Sequence, residues 1–395
     1  MLSDGAPTDA AFAQTVRAAL TQAHHDGLFS GAACVVSIDG RTRAEVYVGV
    51  QSTLDDDGRP LAPADRSPVT AETMFDLASV TKVFTAYTAL TLVDEGVLGL
   101  DQPVGVALNP YASGQKAGVT LRQLLSHTAG LPPVWDGWRA PLAAYLKTAA
   151  PGTHSTGTPL TDRTTLLADL VTTPLVTSPA SRFEYSCLGY NTVMALCETV
   201  TGVDWRRLVR SKTLDALHLA DVSADPVASR CAATEYQPQL GRGVVRGVVH
   251  DETAWSLGGG AGNAGLFSTA RDLLRFAETI RQGDNRITRS WIWDDALPQL
   301  LGWPPGEPGP GFGHSLGLRV GDPAFMGNRA QARGHTGFNG TSLLIERVTG
   351  LSLVLLTNRV HPSRQTEGIQ ALRLRIAELA GALADAPREP TRRSM

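Results

Sequence analysis

A serine and a lysine three residues apart, Ser79 and Lys82, are the first candidates for chemistry in this chain. They stand in MFDLASVTKVFTAYTALTLVDEG, where a turn of small and polar residues leads into a long apolar-periodic segment. This pattern predicts a serine at the first turn of a helix, with the lysine on the same helical face.

This pair indicates acyl transfer through a serine nucleophile. A serine hydroxyl needs a neighbouring base, and a lysine acts as that base when desolvation or another cation lowers its pKa. The first turn of a helix also presents unpaired N–H groups that stabilise developing negative charge.

The spacing alone is not specific, because Ser113 and Lys116 repeat it in a chain with only four lysines. The second copy lies in NPYASGQKAGVT, which is loop-like in its Pro, Gly and Ser content, and we interpret it as a chance match. Without further signals, Ser79 and Lys82 would equally be read as a helix cap and a solvated lysine.

Two further motifs follow in chain order. FEYSCLGYNTV places Tyr185 before an apolar helical stretch, and RGHTGFNGTSLLIE places His335-Thr336-Gly337 before an apolar strand. With Ser79-Val80-Thr81-Lys82, these motifs resemble the penicillin-recognising serine enzymes, which include class C β-lactamases, DD-peptidases, family VIII esterases and related transacylases. The flanking stretches LVDEGVLGLDQPV, VTLRQLLSHTAGLP and LSLVLLTNRVHP also fit, so the resemblance spans roughly residues 30 to 380.

The resemblance implies a two-step acyl-enzyme cycle. Ser79 would be the nucleophile, while Lys82 and Tyr185 would share the roles of base and proton shuttle, an assignment that the sequence leaves open. The backbone N–H groups of Ser79 and Phe338 would form the oxyanion hole. The structural alternative for Tyr185 is a core tyrosine before a helix.

Two departures from the family pattern bear on the substrate. The family's Tyr-x-Asn is Tyr185-Ser186-Cys187 here, and its Lys-Thr-Gly is His335-Thr336-Gly337. Cysteine hydrogen-bonds weakly, and a histidine is mostly neutral at pH 7, so both changes weaken recognition of acylamide and carboxylate groups. We therefore expect ester or thioester acyl donors, with Cys187, His335, Thr336 and Gly337 in the substrate site.

The elements that would position these residues predict an α/β fold. Residues 11–27 read as an amphipathic helix, GAACVVSIDGRTRAEVYVGV as a hairpin turning at Asp39-Gly40, and TSLLIERVTGLSLVLLTN as two strands around Thr349-Gly350. GIQALRLRIAELAGAL predicts a closing helix. This β-lactamase-like arrangement is one antiparallel sheet built from both termini and flanked by helices, with a mainly helical inserted region.

The same pattern predicts two domains with the active site at their seam. Residues 1–105 with 315–395 would form the sheet domain, and residues 106–314 the mainly helical one. Two Pro/Gly-rich stretches, residues 132–162 and 301–314, could form walls beside the site. Their tryptophans are candidates for substrate contact or, alternatively, for anchoring the loops onto the body: Trp135, Trp138 and Trp303.

Other patterns are weaker. Residues 260–265 match G-x-G-x-x-G, but no preceding strand or downstream acid supports a dinucleotide site. His250-Asp251-Glu252 are adjacent and would not converge on one metal ion, so a loop network is the better interpretation. His127 reads as a buried, hydrogen-bonded histidine near the site. We expect no metal and no cofactor.

Composition excludes several function classes. The net charge of −3 gives no electrostatic case for nucleic acid, and no run of 18 apolar residues predicts a membrane span. The N-terminal residues lack a basic region followed by an apolar one, and the four cysteines show no C-x-x-C pairing. These features favour a cytoplasmic protein with free thiols.

The sequence thus predicts a serine acyl-transfer enzyme acting on a small-molecule ester-like donor. Water would take the acyl group in an esterase, and an amine or alcohol in a transacylase of secondary metabolism. A β-lactamase or DD-peptidase is the alternative within the family, and a non-catalytic ligand-binding protein is the alternative of another class. The sequence does not predict the oligomeric state.

Overall fold

Ten strands lie in the residues that the computed structural model describes, 7–148, 162–283, 290–302 and 311–387. In chain order they are β1 (Gly31–Ile38), β2 (Arg41–Gly49), β3 (Phe75–Asp76), β4 (Val222–Ser223), β5 (Phe267–Ser268), β6 (Gly313–His314), β7 (Arg319–Val320), β8 (Arg333–Thr336), β9 (Ser342–Glu346) and β10 (Leu351–Thr357).

Seven of these strands form one antiparallel sheet in the order β2-β1-β10-β9-β8-β7-β6. The N-terminal hairpin pairs with the C-terminal strands through β1 and β10, so that Val35 lies opposite Val354. The predicted sheet built from both termini is therefore confirmed. Strands β3, β5 and β4 form a second, three-stranded sheet.

Thirteen helices accompany the strands in the described residues. They are α1 (Asp9–His25), α2 (Thr81–Asp94), α3 (Leu121–Leu125), α4 (Arg139–Thr148), α5 (Arg163–Thr172), α6 (Cys187–Thr201), α7 (Trp205–Val209), α8 (Glu252–Ser256), α9 (Ala270–Gln282), α10 (Ser290–Trp293), α11 (Leu297–Leu301), α12 (Pro323–Met326) and α13 (Ile369–Asp385). The α/β fold is confirmed.

Turn and cap chemistry explains the hairpin and the first helix. Asp39 and Gly40 both have positive φ, at 52° and 80°, which is the backbone of a tight two-residue hairpin turn, as expected from Asp-Gly. The first helix begins two residues earlier than predicted, at Asp9, because the Thr8 hydroxyl accepts a hydrogen bond from the Ala11 N–H.

Both faces of the sheet are covered, and the burial of each strand follows from its place. All eight residues of β1 are buried, because Cys34 and Val36 pack toward α1 and α13 while Ala33 and Val35 face the core formed with α2 and α9. The edge strand β2 alternates between buried and partly buried positions in its second half. The sheet is therefore packed between α1 and α13 on one face and α2 and α9 on the other.

The helix that follows Ser79 lies between the sheet and the helices of the chain's middle. A 3-10 turn, Ala78–Val80, contacts β8 and runs directly into α2, which packs on α6 and α7. This location agrees with the expected seam, while the exact domain boundaries stay a prediction. Residues 149–161 and 303–310 of the two predicted loop walls, including Trp303, lie outside the described residues.

None of the helices in the described residues combines the length and the apolar character that crossing a bilayer requires. The cytoplasmic location stays a prediction.

Candidate active site

The turn that carries Ser79 is held in an unusual backbone conformation. Ala78 has a φ of 47°, in the left-handed region that costs a non-glycine residue free energy. The buried Asp76 supports it, because one carboxyl oxygen accepts the Ala78 N–H at 2.8 Å and the other accepts the His250 N–H at 2.7 Å. Burial raises the pKa of Asp76. The tertiary structure therefore fixes the position of the serine.

Lys82 is the second residue of α2, three residues after Ser79, and contacts the serine directly. Its Nζ is 3.0 Å from Ser79 Oγ, 3.5 Å from Cys187 Sγ and 3.2 Å from the Asn263 carbonyl. Lys82 is fully buried. The predicted pairing of serine and lysine on one helical face is thus present in the structure.

The charge state of Lys82 differs from the expected one. Burial by itself lowers the pKa of Lys82, but its interactions with the Cys187 thiol group and the Tyr185 phenol group outweigh burial and raise that pKa above its ordinary value. The sequence reasoning required a lowered pKa for a lysine base. The structure corrects this, because the groups facing Lys82 are acidic and no other cation contacts it in the described part of the chain.

Tyr185 lies just before α6 and faces the same lysine. Lys82 Nζ is 5.0 Å from the centre of the Tyr185 ring, and the phenol and the lysine share a hydrogen bond. The His127 ring packs against Tyr185 at 4.5 Å, and the Arg319 guanidinium lies 5.8 Å from the ring centre. The three residues predicted to be catalytic are therefore brought together.

The turn after β8 supplies the second half of the expected oxyanion hole. The Thr341 hydroxyl donates a 2.8 Å hydrogen bond to the Leu77 carbonyl, which joins this turn to the segment before Ser79. At the tip, Phe338 is 49% exposed, and its N–H has no acceptor among the described residues. Arg373 of α13 donates to the carbonyls of Gly337 and Thr341 at 2.6 and 2.8 Å, which fixes the turn from behind.

His335 is placed differently from a substrate ligand. Its side chain is buried, and Nδ1 lies 2.9 Å from the Thr336 carbonyl. Burial and the nearby Lys82 charge hold the pKa of His335 well below its ordinary range, so the imidazole is neutral. Thr336 and Gly337 line the cavity in front of Ser79, whereas His335 is not among the residues that line it.

Three buried imidazoles form a cluster beside Tyr185: His127 and His335 pack near its ring, and His314 packs against His127. The Nε2 atom of each has no hydrogen-bond partner among the described residues. His127 Nδ1 accepts the Ser186 N–H at 3.0 Å, so His127 carries its proton on Nε2. Burial lowers the pKa of all three, to about 3 for His314. The surroundings of Tyr185 are thus uncharged on this side.

The cavity in front of Ser79 has a volume of about 670 Å³. Ser79, Tyr185, Cys187 and Phe338 all line it. Its lining also includes three carboxylates and four guanidinium groups, which belong to Asp251, Glu252 and Glu367 and to Arg319, Arg359, Arg364 and Arg373. This volume lies within the range of small-molecule sites.

The arginines of this wall fall into two kinds. Arg319 pairs with Asp322, and Arg364 pairs with Glu235 and Glu252. In the described residues, Arg359 donates only to backbone carbonyls, and Arg373 only to carbonyls and the Gln370 side chain. Two guanidinium groups of the cavity wall therefore lack a carboxylate partner within that part of the chain.

The glycine-rich segment is a site element that sequence reasoning did not assign to this chain. The Asn263 carbonyl accepts from Lys82, its N–H donates to the Asn191 side chain at 3.0 Å, and its side chain donates to Asp251 at 3.1 Å. A Cβ on Gly262 would lie 2.1 Å from the Tyr190 carbonyl. The glycines thus allow close packing against α2 and α6, which is a structural role and not a dinucleotide fingerprint.

The residues 250–252 form the expected loop network. The His250 ring lies 3.0 Å from Glu235 and stacks on Phe338, while Arg364 bridges Glu235 and Glu252. Through the His250 ring, this network contacts the Phe338 side chain of the turn after β8.

Two further sequence candidates lie away from the chemistry. Trp135 is 5% exposed, its indole N–H donates to Asp169 at 2.9 Å, and it is not among the residues that line the cavity. This position fits the anchoring alternative, and its neighbour Val134 lines the cavity instead. In the second S-x-x-K copy, Lys116 donates to the Val171 carbonyl at 2.8 Å, which agrees with a chance match.

The fold and the site together define a serine enzyme of the acyl-transfer type. The sequence profile of the Beta-lactamase family matches residues 12–377, and the chain belongs to that family. It is a β-lactamase-fold serine enzyme of the esterase, acyltransferase or DD-peptidase type.

Particular relatives represent several of these activities. A Salmonella heidelberg (strain SL476) protein, provisionally named a D-alanyl-D-alanine carboxypeptidase, is 27% identical over 317 residues, or 74% of this chain and 71% of that protein. The structure of EstCE1, described as a hydrolase with promiscuous acyltransferase activity, superposes with a TM-score of 0.70 at 22% identity, covering 94% of this chain and 99% of the other. Simvastatin synthase LovD of Aspergillus terreus (LovD6 mutant) gives 0.65 at 19% identity, covering 93% and 94%. These structural likenesses show the fold.

Proposed function

We propose that the protein forms a covalent acyl-enzyme on Ser79 from an ester-like donor and passes the acyl group to water or to a small amine or alcohol. The observation that carries the proposal is the 3.0 Å contact of Lys82 Nζ with Ser79 Oγ in a 670 Å³ cavity. A nucleophile in contact with its proton carrier is the geometry that covalent acyl transfer needs.

The site suits the charge that develops during attack. When Ser79 attacks the donor carbonyl, the carbonyl oxygen becomes an oxyanion, which the N–H groups of Ser79 and Phe338 would bind. Because Lys82 is an ammonium and already carries its full set of protons, it can accept the serine proton only while it passes one of its own protons to a neighbouring group. Tyr185, hydrogen-bonded to Lys82, is placed to return a proton to the leaving group.

The choice of an ester or thioester donor rests on two side chains. His335 is neutral and buried, so it does not supply the fixed positive charge of the family's lysine. Cys187 stands where the family's asparagine would bind an amide of the substrate, and a thiol hydrogen-bonds weakly. Esters need neither interaction.

Mass spectrometry of the intact protein tests this function. Incubation with p-nitrophenyl esters should give a transient acyl adduct that decays to free acid, and an added amino-acid amide should speed the decay and yield the amide if the enzyme is a transacylase. Ser79→Ala should give no adduct. Ser113→Ala is the matched control, since Ser113 is the exposed serine of the second S-x-x-K copy and should leave the adduct unchanged.

A DD-peptidase or β-lactamase is the second candidate, and one observation favours it. Arg359 and Arg373 line the cavity without a carboxylate partner in the described residues, so they could receive the carboxylate of a peptide or a β-lactam. Hydrolysis of a chromogenic cephalosporin or of a D-alanyl-D-alanine peptide faster than that of p-nitrophenyl esters would establish this candidate. No serine labelling by any of these substrates would instead support a non-catalytic binding protein.

A further inference from the structure

Lys82 is a buried cation whose contacts are unusual. Its Nζ touches Ser79 Oγ, Cys187 Sγ and the Asn263 carbonyl, and Tyr185 hydrogen-bonds to it. It forms no ion pair with a carboxylate anywhere in the described residues. An ammonium removed from water costs several kcal/mol unless an opposite charge accompanies it. A negative charge on one of the neighbours that Nζ contacts would offset this cost.

Cys187 is the neighbour best suited to be the anion. A thiol ordinarily ionises near pH 8.5 and a phenol near pH 10, so a thiol gives up its proton first when both face the same ammonium. Cys187 is also the first residue of the 15-residue helix α6, with Ser186 as its N-cap. Helix N-termini and neighbouring lysines both stabilise a thiolate.

We propose that Cys187 is the resting anion of the active site: its thiolate pairs with the Lys82 ammonium and receives the Ser79 proton through Lys82. The cysteine would thus take part in the reaction in place of the substrate contact expected from the family's asparagine. This inference rests on the proposed acyl-transfer function.

Every proton that moves during the attack is transferred among Ser79, Lys82 and Cys187. As Ser79 Oγ bonds to the donor carbonyl carbon, the serine proton moves to Lys82 Nζ, and Lys82 gives one of its own protons to the Cys187 thiolate. Lys82 ends as an ammonium, Cys187 ends as a thiol, and the negative charge has moved from sulfur to the carbonyl oxygen. When the oxyanion collapses, the leaving group takes a proton through Tyr185, and reprotonation of Tyr185 through Lys82 restores the thiolate.

The other ionisable groups around this pair do not replace Cys187. Tyr185, two residues before Cys187, also faces Lys82. Asp251 contributes a negative charge at longer range, and its carboxylate accepts a hydrogen bond from the Asn263 side chain. The imidazoles of His127 and His335 are neutral, because burial holds the pKa of each well below its ordinary range. The Arg319 guanidinium faces Tyr185 and pairs with Asp322.

Alkylation by iodoacetamide, mapped by peptide mass spectrometry, tests the ion pair without any catalytic turnover. At pH 7, Cys187 should react at least about tenfold faster in the wild type and in Ser79→Ala than in Lys82→Met, which removes the cation. Lys82→Arg keeps a cation and should retain most of the alkylation rate. This variant distinguishes the effect of losing the positive charge from the effect of a disturbed fold.

The chain provides internal controls for this measurement. Cys34, Cys197 and Cys231 are buried, and burial raises the pKa of each, to about 12 for Cys34 and Cys231. They should stay unmodified while the fold is intact. Equal Cys187 rates in the wild type, Lys82→Met and Lys82→Arg would overturn the ion pair. Because Ser79→Ala lacks the nucleophile, its alkylation result stands even if the proposed function fails.

A second measurement tests the proton role. Cys187→Ser keeps the size of the side chain but not its acidity, so kcat/KM for a p-nitrophenyl ester should fall at least about tenfold at pH 7, and its rise with pH should move at least about one unit upward, toward the range of a phenol. Cys187→Asn, which introduces the family's residue, should show the same shift. An unchanged pH profile in both variants would overturn the proposal.

Discussion

The Thr341 hydroxyl donates a hydrogen bond to the Leu77 carbonyl across 2.8 Å, although 264 residues separate the two in the chain. This bond connects the turn after β8 with the segment that carries Ser79. The two N–H groups expected to bind an oxyanion come from these two segments. Their separation is therefore set by a contact between the two ends of the fold.

Replacing Thr341 by valine should reduce turnover more than it reduces stability. The isosteric change removes one of the two hydrogen bonds that the Leu77 carbonyl accepts, the other being from the Val80 N–H. This loss costs about 0.5–1.5 kcal/mol of unfolding free energy and lets the two segments drift apart. We expect kcat to fall about tenfold or more while KM changes little, as measured with a p-nitrophenyl ester. Thr341→Ser keeps the hydroxyl and should recover most of kcat. Equal kcat values for the valine and serine variants would contradict this role.

Gly337→Ala should abolish activity. A Cβ at this position would lie 2.1 Å from Thr341 Oγ1 and 2.5 Å from the Leu77 carbonyl oxygen, so the turn has to move. Loss of one oxyanion donor costs about 10²–10³ in rate, and we expect at least that loss in kcat. Gly118→Ala is the matched control, since a Cβ there meets no atom within 4 Å, and it should retain wild-type kcat. Normal kcat in Gly337→Ala would show that the turn tolerates displacement.

Lys82→Met and Lys116→Met should distinguish a catalytic lysine from a structural one. Both lysines are buried, but only Lys82 contacts a serine, whereas Lys116 donates to the Val171 carbonyl and lies 4.5 Å from the Tyr111 ring centre. We expect Lys82→Met to lose at least about 10³ in kcat, since removal of a proton carrier typically costs 10²–10⁴. Lys116→Met should unfold at lower denaturant concentration with kcat retained per folded molecule. The reverse pattern would refute the assignment of Lys82.

The three buried histidines beside Tyr185 predict acid lability. Each has a folded-state pKa below its unfolded value of about 6.5, so the unfolded chain binds more protons as the pH falls. Their stabilising contribution is complete above pH 6.5 and is lost as the pH falls toward about 3, the folded pKa of His314.

Urea unfolding between pH 7 and 4 measures this effect. Each histidine should add up to about 1.4 kcal/mol per pH unit to the slope of unfolding free energy against pH. His314→Asn should lower the slope by one such increment. His218→Asn, at an exposed position, is the control and should leave the slope unchanged. A wild-type unfolding free energy that is flat across this range would contradict the neutral, buried state of the cluster.

Local patterns in the sequence were sufficient to predict the N-terminal hairpin and the pairing of Ser79 with Lys82. The Asp39-Gly40 turn requires positive φ, which aspartate and glycine tolerate, so the hairpin could be predicted from its own residues. The pairing of Ser79 with Lys82 follows from helical spacing alone, since residues three apart share a face. The strand patterns at both ends of the chain predicted the antiparallel sheet, and the family motifs added the proximity of Tyr185.

Only the tertiary structure decided the electrostatics of the site and which groups contact its reacting side chains. A pKa depends on the groups that face a side chain, and the raised pKa of Lys82 comes from Cys187 and Tyr185, which lie more than 100 residues away in the chain. The Asn263 carbonyl is a backbone group and has no sequence signature. The neutrality of His335 likewise follows from complete burial. Sequence spacing fixes neighbours along one helix, whereas burial and charge arise where distant segments meet.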